Sequence, residues 1–293
     1  MATISKTLIA TGASSGLGFE LVKQLLQQSQ PYKLILAARD TQQAQAAYDA
    51  LQYDSSTHKL TILPAELSNL KTVKSFAEQA LEKLGNDRLD YVMLNAGMFE
   101  APGTKGPEGS KWSNSYLVNH LSQHYLTHLL RPKIEQSHSR VVVVSSGAVR
   151  GVKDTSALEE DMLSGADKTP NGRYSASKFI QLLGAHWWRR QLGDNAVVVA
   201  VSPGLIPGTG INRNNVVQMP DNLPDAKSVP EGAQSIYAAF VRDDLPKDTE
   251  QIFLTSWGEW WAKDVYGLSL DKALQDKWSP GKEEIEREAG INN

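Results

Sequence analysis

Short apolar runs alternate along this chain with longer segments in which apolar residues recur at helical spacing. Seven runs rich in Val, Ile and Leu lack polar alternation, which is typical of strands buried on both faces of a sheet. These runs cover residues 6–10, 33–38, 59–63, 90–95, 140–145, 196–202 and 251–255. The helical segments begin near Leu17, Gln42, Leu70, Trp112, Arg173 and Glu231.

Strands that alternate with helices in this way predict an α/β fold. We expect residues 1–293 to form a single Rossmann-type domain, with a doubly wound seven-stranded parallel sheet and helices on both faces. Its core covers about residues 5–255, and residues 256–293 form a C-terminal extension.

Three irregular stretches interrupt this alternation of strands and helices, at residues 99–110, 149–172 and 205–230. In an open α/β sheet such segments follow the carboxyl ends of strands, where ligands bind, so we expect them to form the walls of a substrate pocket. The extension contains Trp257, Trp260, Trp261 and Trp278. These tryptophans either cover the pocket mouth as a lid or seal the core, and both alternatives stay open.

Composition narrows the possible functions. Thirty Lys and Arg stand against thirty-three Asp and Glu, a net charge of −3, so nucleic acid is not an expected partner. The chain has no cysteine, which excludes disulfides, thiolate metal sites and a cysteine nucleophile. No apolar stretch is long enough to span a bilayer, and we expect a cytoplasmic protein.

A glycine-rich turn follows the first apolar run, in the sequence TGASSGLG at residues 11–18. Its glycines allow close approach of a diphosphate, and the amides at the start of the following helix favour that anion. The spacing GxxxGxG differs from the general GxGxxG fingerprint, so simple loop geometry is the alternative.

Arg39 ends the second apolar run, near the position where an acidic residue would bind a free ribose hydroxyl. A guanidinium suits a phosphate, so Arg39 favours NADPH over NADH. The alternative is a solvated Arg39 that pairs with Asp40, which would itself bind the ribose.

Tyr174 and Lys178 lie four residues apart at the start of a helical segment, and Ser146 closes the fifth apolar run. Side chains at this spacing project from one helix face. An adjacent ammonium group and a cationic nicotinamide favour the phenolate, so Tyr174 is a candidate for proton exchange with a substrate oxygen. A surface pair is the alternative.

These motifs together resemble the short-chain dehydrogenase/reductase family, over about residues 5–255. The matching segments, in chain order, are TGASSGLG, LNAG at 94–97, VNHLSQHYLT at 118–127, VSS at 144–146, YSASK at 174–178 and SPG at 202–204. Within the family the chain is similar to the retinol-dehydrogenase-like and protochlorophyllide-reductase-like branch. Leu205 stands where protochlorophyllide reductases have cysteine, which argues against that reaction.

The resemblance implies a role for each matching residue. Tyr174 is the general acid–base, Lys178 holds the nicotinamide ribose and lowers the pKa of Tyr174, Ser146 binds the substrate oxygen, and Asn119 holds a water of the proton relay. The implied NADPH contacts fall into groups along the cofactor. Gly12, Ser14, Ser15, Gly16 and Leu17 contact the phosphates, Arg39, Glu66 and Leu67 contact the adenosine end, and Asn95, Ala96 and Gly97 lie beside it. Tyr174, Lys178, Pro203, Gly204, Ile206 and Thr209 lie near the nicotinamide and its ribose. Glu66 replaces the usual Asp, and Thr209 is shifted by one residue.

The implied reaction is NADPH-dependent reduction of a ketone or aldehyde of a bulky apolar small molecule to the alcohol, or the reverse. Reduction of a conjugated C=C bond is an alternative, and a non-catalytic NADPH sensor is another. A homo-oligomer is possible.

We assign no catalytic or metal-binding role to three histidines and two tryptophans. His120, His124 and His128 share a helix face, but that helix has no carboxylate at ligand spacing, so we expect no metal. Trp187 and Trp188 are interpreted as packing residues.

Overall fold

The computed structural model describes residues 4–212 and 226–291. Seven strands are present in this part of the chain: β1 Lys6–Thr11, β2 Tyr32–Ala38, β3 Lys59–Pro64, β4 Tyr91–Leu94, β5 Arg140–Val144, β6 Val197–Val201 and β7 Phe253–Leu254. The helices are α1 Gly16–Leu26, α2 Thr41–Asp49, α3 Leu70–Leu84, α4 Asn114–Tyr116, α5 Ser122–Ser137, α6 Leu158–Asp161, α7 Pro170–Leu192, α8 Val229–Val241, α9 Lys272–Lys277 and α10 Lys282–Glu288. Of the predicted pocket wall at 205–230, residues 213–225 lie outside the described ranges.

All seven strands form one parallel sheet in the order β3-β2-β1-β4-β5-β6-β7. Ile9 of β1 pairs with Ile35 on one side and with Val92 on the other. The strand order reverses between β1 and β4, and ligands of open α/β sheets bind at such a switch point. The predicted seven-stranded, doubly wound sheet is confirmed.

Apolar side chains of the sheet supply two cores because successive residues of a strand point to opposite faces. Ile9 packs in the core covered by α3, α5 and α7, whereas its neighbours Leu8 and Ala10 pack in the core under α1 and α8. Helices therefore cover both faces, as predicted.

Three helix starts differ from the sequence-based expectation because cap residues define them. Helix α8 begins at Val229 rather than near Glu231, with Ser228 as its cap. Helix α7 begins at Pro170 rather than near Arg173, since the Thr169 side chain accepts from the amide of Gly172. Helix α4 begins at Asn114 rather than at Trp112, with Ser113 as its cap. The chain then passes through a π-helical turn, Leu117–Leu121, before α5.

Helices α9 and α10 of the C-terminal extension pack against α7 and α5. Trp278 is 3% exposed, and its ring contacts Trp112 and Tyr116. The ring nitrogens Nε2 of His120 and His124 hydrogen-bond to the carbonyls of Trp278 and Pro280, at 2.7 and 3.0 Å.

His128 of α5 and Trp188 of α7 have the same packing role. His128 Nε2 lies 3.2 Å from the Pro280 carbonyl, and Trp188 Nε1 donates to His124 Nδ1 at 2.9 Å. Among the described residues no group of three potential ligands is arranged to hold a metal ion.

No helix in the described ranges is both long enough and apolar enough to cross a membrane.

Candidate active site

A cavity of about 1360 Å³ opens at the carboxyl ends of the strands. Residues from the ends of β1, β2, β4, β5 and β6 line it, together with parts of the three irregular stretches. Parallel strands present their carboxyl ends at one sheet edge, so motifs distant in sequence meet there. Every predicted site residue except Asn119 lines this cavity.

The glycine turn brings the backbone of β1 against the loop after β4. Gly12 has φ +64°, and a Cβ on it would lie 2.6 Å from the Cα of Ala96. A Cβ on Gly18 would lie 2.3 Å from the Gly12 carbonyl oxygen, to which Asn95 Nδ2 donates at 2.8 Å. These positions exclude larger residues, and the Ser15 side chain makes no cap hydrogen bond at the start of α1. The turn therefore offers helix amides to an anion in the cavity.

Arg39 lies at the far end of the same cavity. Its Nε atom is 3.9 Å from Glu66 Oε2, and both side chains are largely exposed. Asp40 is engaged elsewhere, because its carboxylate accepts from the amide of Gln43 as the cap of α2. Among the described residues, the carboxylate within ion-pair distance of Arg39 is that of Glu66 and not that of Asp40.

Thr209 lies beside the glycine turn despite its one-residue shift. Its Cβ is 3.6 Å from the position of a Cβ on Gly16, and its hydroxyl donates to the Ile206 carbonyl at 3.4 Å. The loop after β6 therefore reaches the region where the turn binds an anion.

The side chains of Tyr174, Lys178 and Ser146 meet on one wall of the cavity. Lys178 Nζ lies 5.9 Å from the centre of the Tyr174 ring and donates to the carbonyl of Val144 at 2.9 Å. Ser146 follows β5 and lines the same wall, where its side chain lowers the pKa of Tyr174, and its Oγ accepts from the amide of Ala148 at 3.1 Å. The Phe99 ring stacks on Tyr174 with 4.2 Å between centroids. This wall offers two hydroxyls and one amine to a bound molecule.

Asn119 lies behind this wall, in the π-helical turn. Its Oδ1 accepts from the amide of Met98 at 2.8 Å, and its Nδ2 donates to the Met98 carbonyl and to Ser177 Oγ. The side chain therefore fixes the loop after β4 to the helix that carries Tyr174 and Lys178. A π-helical turn often marks a functional site.

Comparison with known proteins agrees with this geometry. A profile described as short chain dehydrogenase matches residues 6–157. A protein of Pestalotiopsis microspora named Short-chain dehydrogenase/reductase GME11359 is 60% identical over 288 residues, which cover 97% of this chain and 99% of that protein. The chain belongs to the short-chain dehydrogenase/reductase family.

Other relatives and solved structures agree with this membership. Human retinol dehydrogenase 14 is 31% identical to this dehydrogenase over 256 residues, 80% of this chain and 74% of that protein. The predicted similarity to the retinol-dehydrogenase-like branch is thereby confirmed. The structure of NADPH-bound carbonyl reductase from chicken fatty liver superposes with a TM-score of 0.65 at 20% identity, covering 88% of this chain and 99% of that one. At this identity the likeness shows the shared fold.

Burial sets the protonation of the two central groups of the dehydrogenase. Burial raises the pKa of Tyr174 to about 12, and the Ser146 side chain lowers it in part. Burial also lowers the pKa of Lys178 to about 7. We expected Lys178 to lower the pKa of Tyr174. In the protein, desolvation of the phenol has the largest effect on this pKa, and it raises it. A phenol that keeps its proton at neutral pH is suited to donate it.

Sequence reasoning missed several residues that support the site of the dehydrogenase. Gln123 accepts from Thr11 Oγ1 at 3.2 Å and donates to the carbonyls of Ala96 and Asn119 at 2.9 and 3.2 Å. Gln181 accepts from Lys178 Nζ at 3.1 Å. Gln123 lies within the segment 118–127 that matches the family, so the sequence did point to its neighbourhood. Gln181 follows YSASK and belongs to no motif that could have identified it.

The tryptophans of the extension divide between two places. Trp257 and Trp261 line the cavity, with 6.3 Å between their ring centroids, and Trp257 is 61% exposed. Trp278 is buried in the core, and Trp260 packs beside the second core. Trp278 and Trp260 therefore belong to the cores, whereas Trp257 and Trp261 belong to the cavity wall.

Proposed function

We propose that this dehydrogenase uses NADPH to reduce a ketone or aldehyde of a bulky apolar molecule to the alcohol, or catalyses the reverse reaction. The observation that carries this proposal is the gathering of Ser146, Tyr174 and Lys178 on one wall of the cavity that also contains the glycine turn. A hydroxyl pair beside an amine is suited to bind a carbonyl oxygen and to move a proton to it.

The residues of the cavity fit NADPH. The turn at Gly12 and Gly18 leaves no room for side chains, so a diphosphate can approach the backbone amides at the start of α1. Arg39 provides a guanidinium that suits a ribose phosphate. The chicken carbonyl reductase with NADPH bound supports this choice of cofactor. NADPH, when bound, supplies the hydride.

Tyr174 acts as the proton donor in the reduction. As the carbonyl carbon receives a hydride, its oxygen gains negative charge and accepts the phenolic proton of Tyr174, which yields the alcohol. Ser146 donates a hydrogen bond to the same oxygen, and Lys178 in its protonated form stabilises the phenolate that remains. In the reverse direction the phenolate accepts the proton of the alcohol.

The lining of the cavity supports a bulky apolar substrate. Its volume of about 1360 Å³ is shared between the region of Gly12 and Arg39, where NADPH would bind, and the region beside Tyr174, where the substrate would bind. Apolar side chains line part of it, among them Phe99, Val118, Leu205, Trp257 and Trp261.

The test measures NADPH oxidation with a panel of ketones, aldehydes, quinones and enones, for the wild type, Tyr174→Phe and the control Tyr53→Phe. We expect kcat to fall by about 10² to 10⁴-fold in Tyr174→Phe, with the Kd for NADPH unchanged. Tyr53 lies outside the cavity lining, and its variant should keep full activity.

Deuterated NADPH distinguishes carbonyl reduction from reduction of a C=C bond. Label on the carbinol carbon supports carbonyl reduction, whereas label on a carbon of a former C=C bond supports alkene reduction. Full turnover by Tyr174→Phe would show that the acid–base role is wrong. Tight NADPH binding without turnover on any compound would favour a sensor.

A further inference from the structure

Arg150 brings a positive charge close to the reacting groups. It lies in the 3-10 helical turn Gly147–Gly151 that directly follows Ser146, and its side chain lines the cavity. Its Nε atom donates to the carbonyl of Gly147 at 3.0 Å. The guanidinium carbon lies 5.4 Å from the centre of the Trp261 ring, which is a cation–π contact. An arginine and an indole thus form one surface beside the serine.

Gly147 explains how both groups come so close to Ser146. A Cβ on this residue would lie 3.3 Å from Arg150 Nη2 and 3.3 Å from Trp261 Cη2. Since Gly147 is the residue next to Ser146, the guanidinium and the indole are separated from the serine by a single residue without a side chain. A substrate that binds Ser146 therefore has both groups within reach.

Arg150 differs from the other cations of the cavity in its partners. Lys178 Nζ donates to Val144 and Gln181, and Lys227 Nζ donates to the Ser256 carbonyl. Within residues 4–212 and 226–291, no carboxylate lies within ion-pair distance of Arg150, and no acceptor is hydrogen-bonded to its two Nη atoms. The outer edge of this guanidinium is available to a ligand.

The carboxylates that line the described cavity are held away from Arg150 by their own contacts. Glu66 accepts from the amide and hydroxyl of Ser68, and Glu231 accepts from the amide and hydroxyl of Ser228. Among the described residues, neither of these carboxylates forms an ion pair with Arg150.

We propose that Arg150 and Trp261 form an anion subsite, so that the bulky, mainly apolar substrate is an aromatic ketone or aldehyde whose one charged group is a carboxylate. The proposal rests on the proposed function, because it places the carbonyl oxygen at Ser146 and Tyr174. A guanidinium binds a carboxylate through two parallel hydrogen bonds and stays charged at every physiological pH. Indole rings of Trp261 and Trp257 provide flat surfaces against which an aromatic ring stacks.

The first experiment compares an acetylnaphthoate with its methyl ester as substrates in the presence of NADPH. We expect the wild type to prefer the acid in kcat/KM by about tenfold or more, since a charge-assisted pair is lost with the ester. Arg150→Met should lower kcat/KM for the acid by about tenfold or more and leave the ester within about twofold. Arg150→Lys should retain part of the preference, because it keeps the charge and loses the bidentate geometry.

The matched control is Arg189→Met, which removes an arginine that donates to the Gly193 carbonyl outside the cavity lining. Both substrates should react with this variant as with the wild type. If Arg150→Met instead lowers kcat/KM equally for acid and ester, Arg150 only supports Trp261 and the anion subsite is wrong. Equal kcat/KM of acid and ester in the wild type would also overturn it.

A second measurement separates this proposal from the proposed function. Naphthoate has the ring and the carboxylate but no carbonyl to reduce, and its binding can be followed by quenching of tryptophan fluorescence with NADPH present. Binding to the wild type that weakens tenfold or more in Arg150→Met supports the subsite even if neither ketone is reduced, in which case only the reductase proposal fails. Reduction of the ester with no naphthoate binding overturns the subsite and leaves the reductase.

Discussion

Glu100 and Arg173 form an ion pair, with 3.2 Å between Oε2 and Nη1, in which both side chains are at most 1% exposed. The Glu100 carboxylate also accepts from the amides of Asn114 and Ser115, each at 3.1 Å. Arg173 directly precedes Tyr174 in α7. The pair therefore connects the loop after β4 and the start of α4 to the helix that carries the proposed acid–base.

Removal of one charge from this pair should destabilise the protein. Glu100→Gln leaves the Arg173 guanidinium buried without a counter-ion, and we expect a loss of roughly 3–5 kcal/mol in the free energy of unfolding. Urea unfolding measures this change. Glu159→Gln is the control, because Glu159 pairs with Lys277 at 2.9 Å while both side chains are more than half exposed. Its loss should stay below about 1 kcal/mol, and a similar loss in both variants would contradict the prediction.

The close approach at Gly12 should be intolerant of a methyl group. Gly12→Ala places a Cβ 2.6 Å from Ala96 Cα, so the turn must shift and both stability and NADPH affinity should fall. Gly103→Ala is the matched control. Gly103 also has a positive φ, +68°, but no heavy atom lies within 4 Å of a Cβ added to it. We expect that control to lose only about 1 kcal/mol and to bind NADPH normally. Thermal unfolding and fluorescence titration with NADPH test this, and equal losses in the two variants would disprove the steric argument.

Arg39 should determine the choice of dinucleotide. Arg39→Met removes the guanidinium beside Glu66, so kcat/KM with NADPH should fall about tenfold or more, while kcat/KM with NADH stays within about twofold. Steady-state kinetics with both cofactors and one ketone measure the ratio. Lys71→Met serves as the control, since Lys71 lies outside the cavity lining. An unchanged ratio in Arg39→Met would assign the preference to other residues.

The buried histidines of α5 and of the π-helical turn before it should make stability depend on pH. Burial lowers the pKa of His120 from 6.5 to about 4, because the charged ring is disfavoured among Tyr116, Gly184 and Trp278. The unfolded chain binds a proton at its ordinary pKa near 6.5, so the stability from this residue is full above that pH. It is lost as the pH falls through 6.5 towards 4, by about 2 kcal/mol at about pH 5.

Urea unfolding between about pH 5 and pH 8 tests this dependence for the wild type, His120→Gln and His138→Asn. The slope of stability against pH should become shallower in His120→Gln because that variant has one fewer buried titrating ring. His138 is exposed and has φ +49°, a conformation that asparagine accepts, so His138→Asn should keep the wild-type slope. An identical slope in all three proteins would show that His120 does not contribute.

Much of the site was predictable from sequence because its parts lie at strand ends. Continuous apolar runs predicted the seven strands, and a parallel sheet brings their carboxyl ends to one edge. Gly12, Arg39, Ser146 and Gly204 were each assigned from local motifs and all line one cavity. Local patterns could not assign Phe99, because its stacking on Tyr174 depends on a loop conformation.

The sequence by itself determined the fold class, the family and the motif residues at the cavity, such as Gly12, Ser146 and Tyr174, since strand periodicity and short motifs are local properties. Only the tertiary structure decided that Trp278 belongs to the core while Trp261 belongs to the cavity, and that Glu100 pairs with Arg173. It also placed Arg150 on Trp261, a contact between residues 150 and 261 of the chain. These relationships depend on packing between segments distant in sequence, where shape and burial rather than local pattern select the partner.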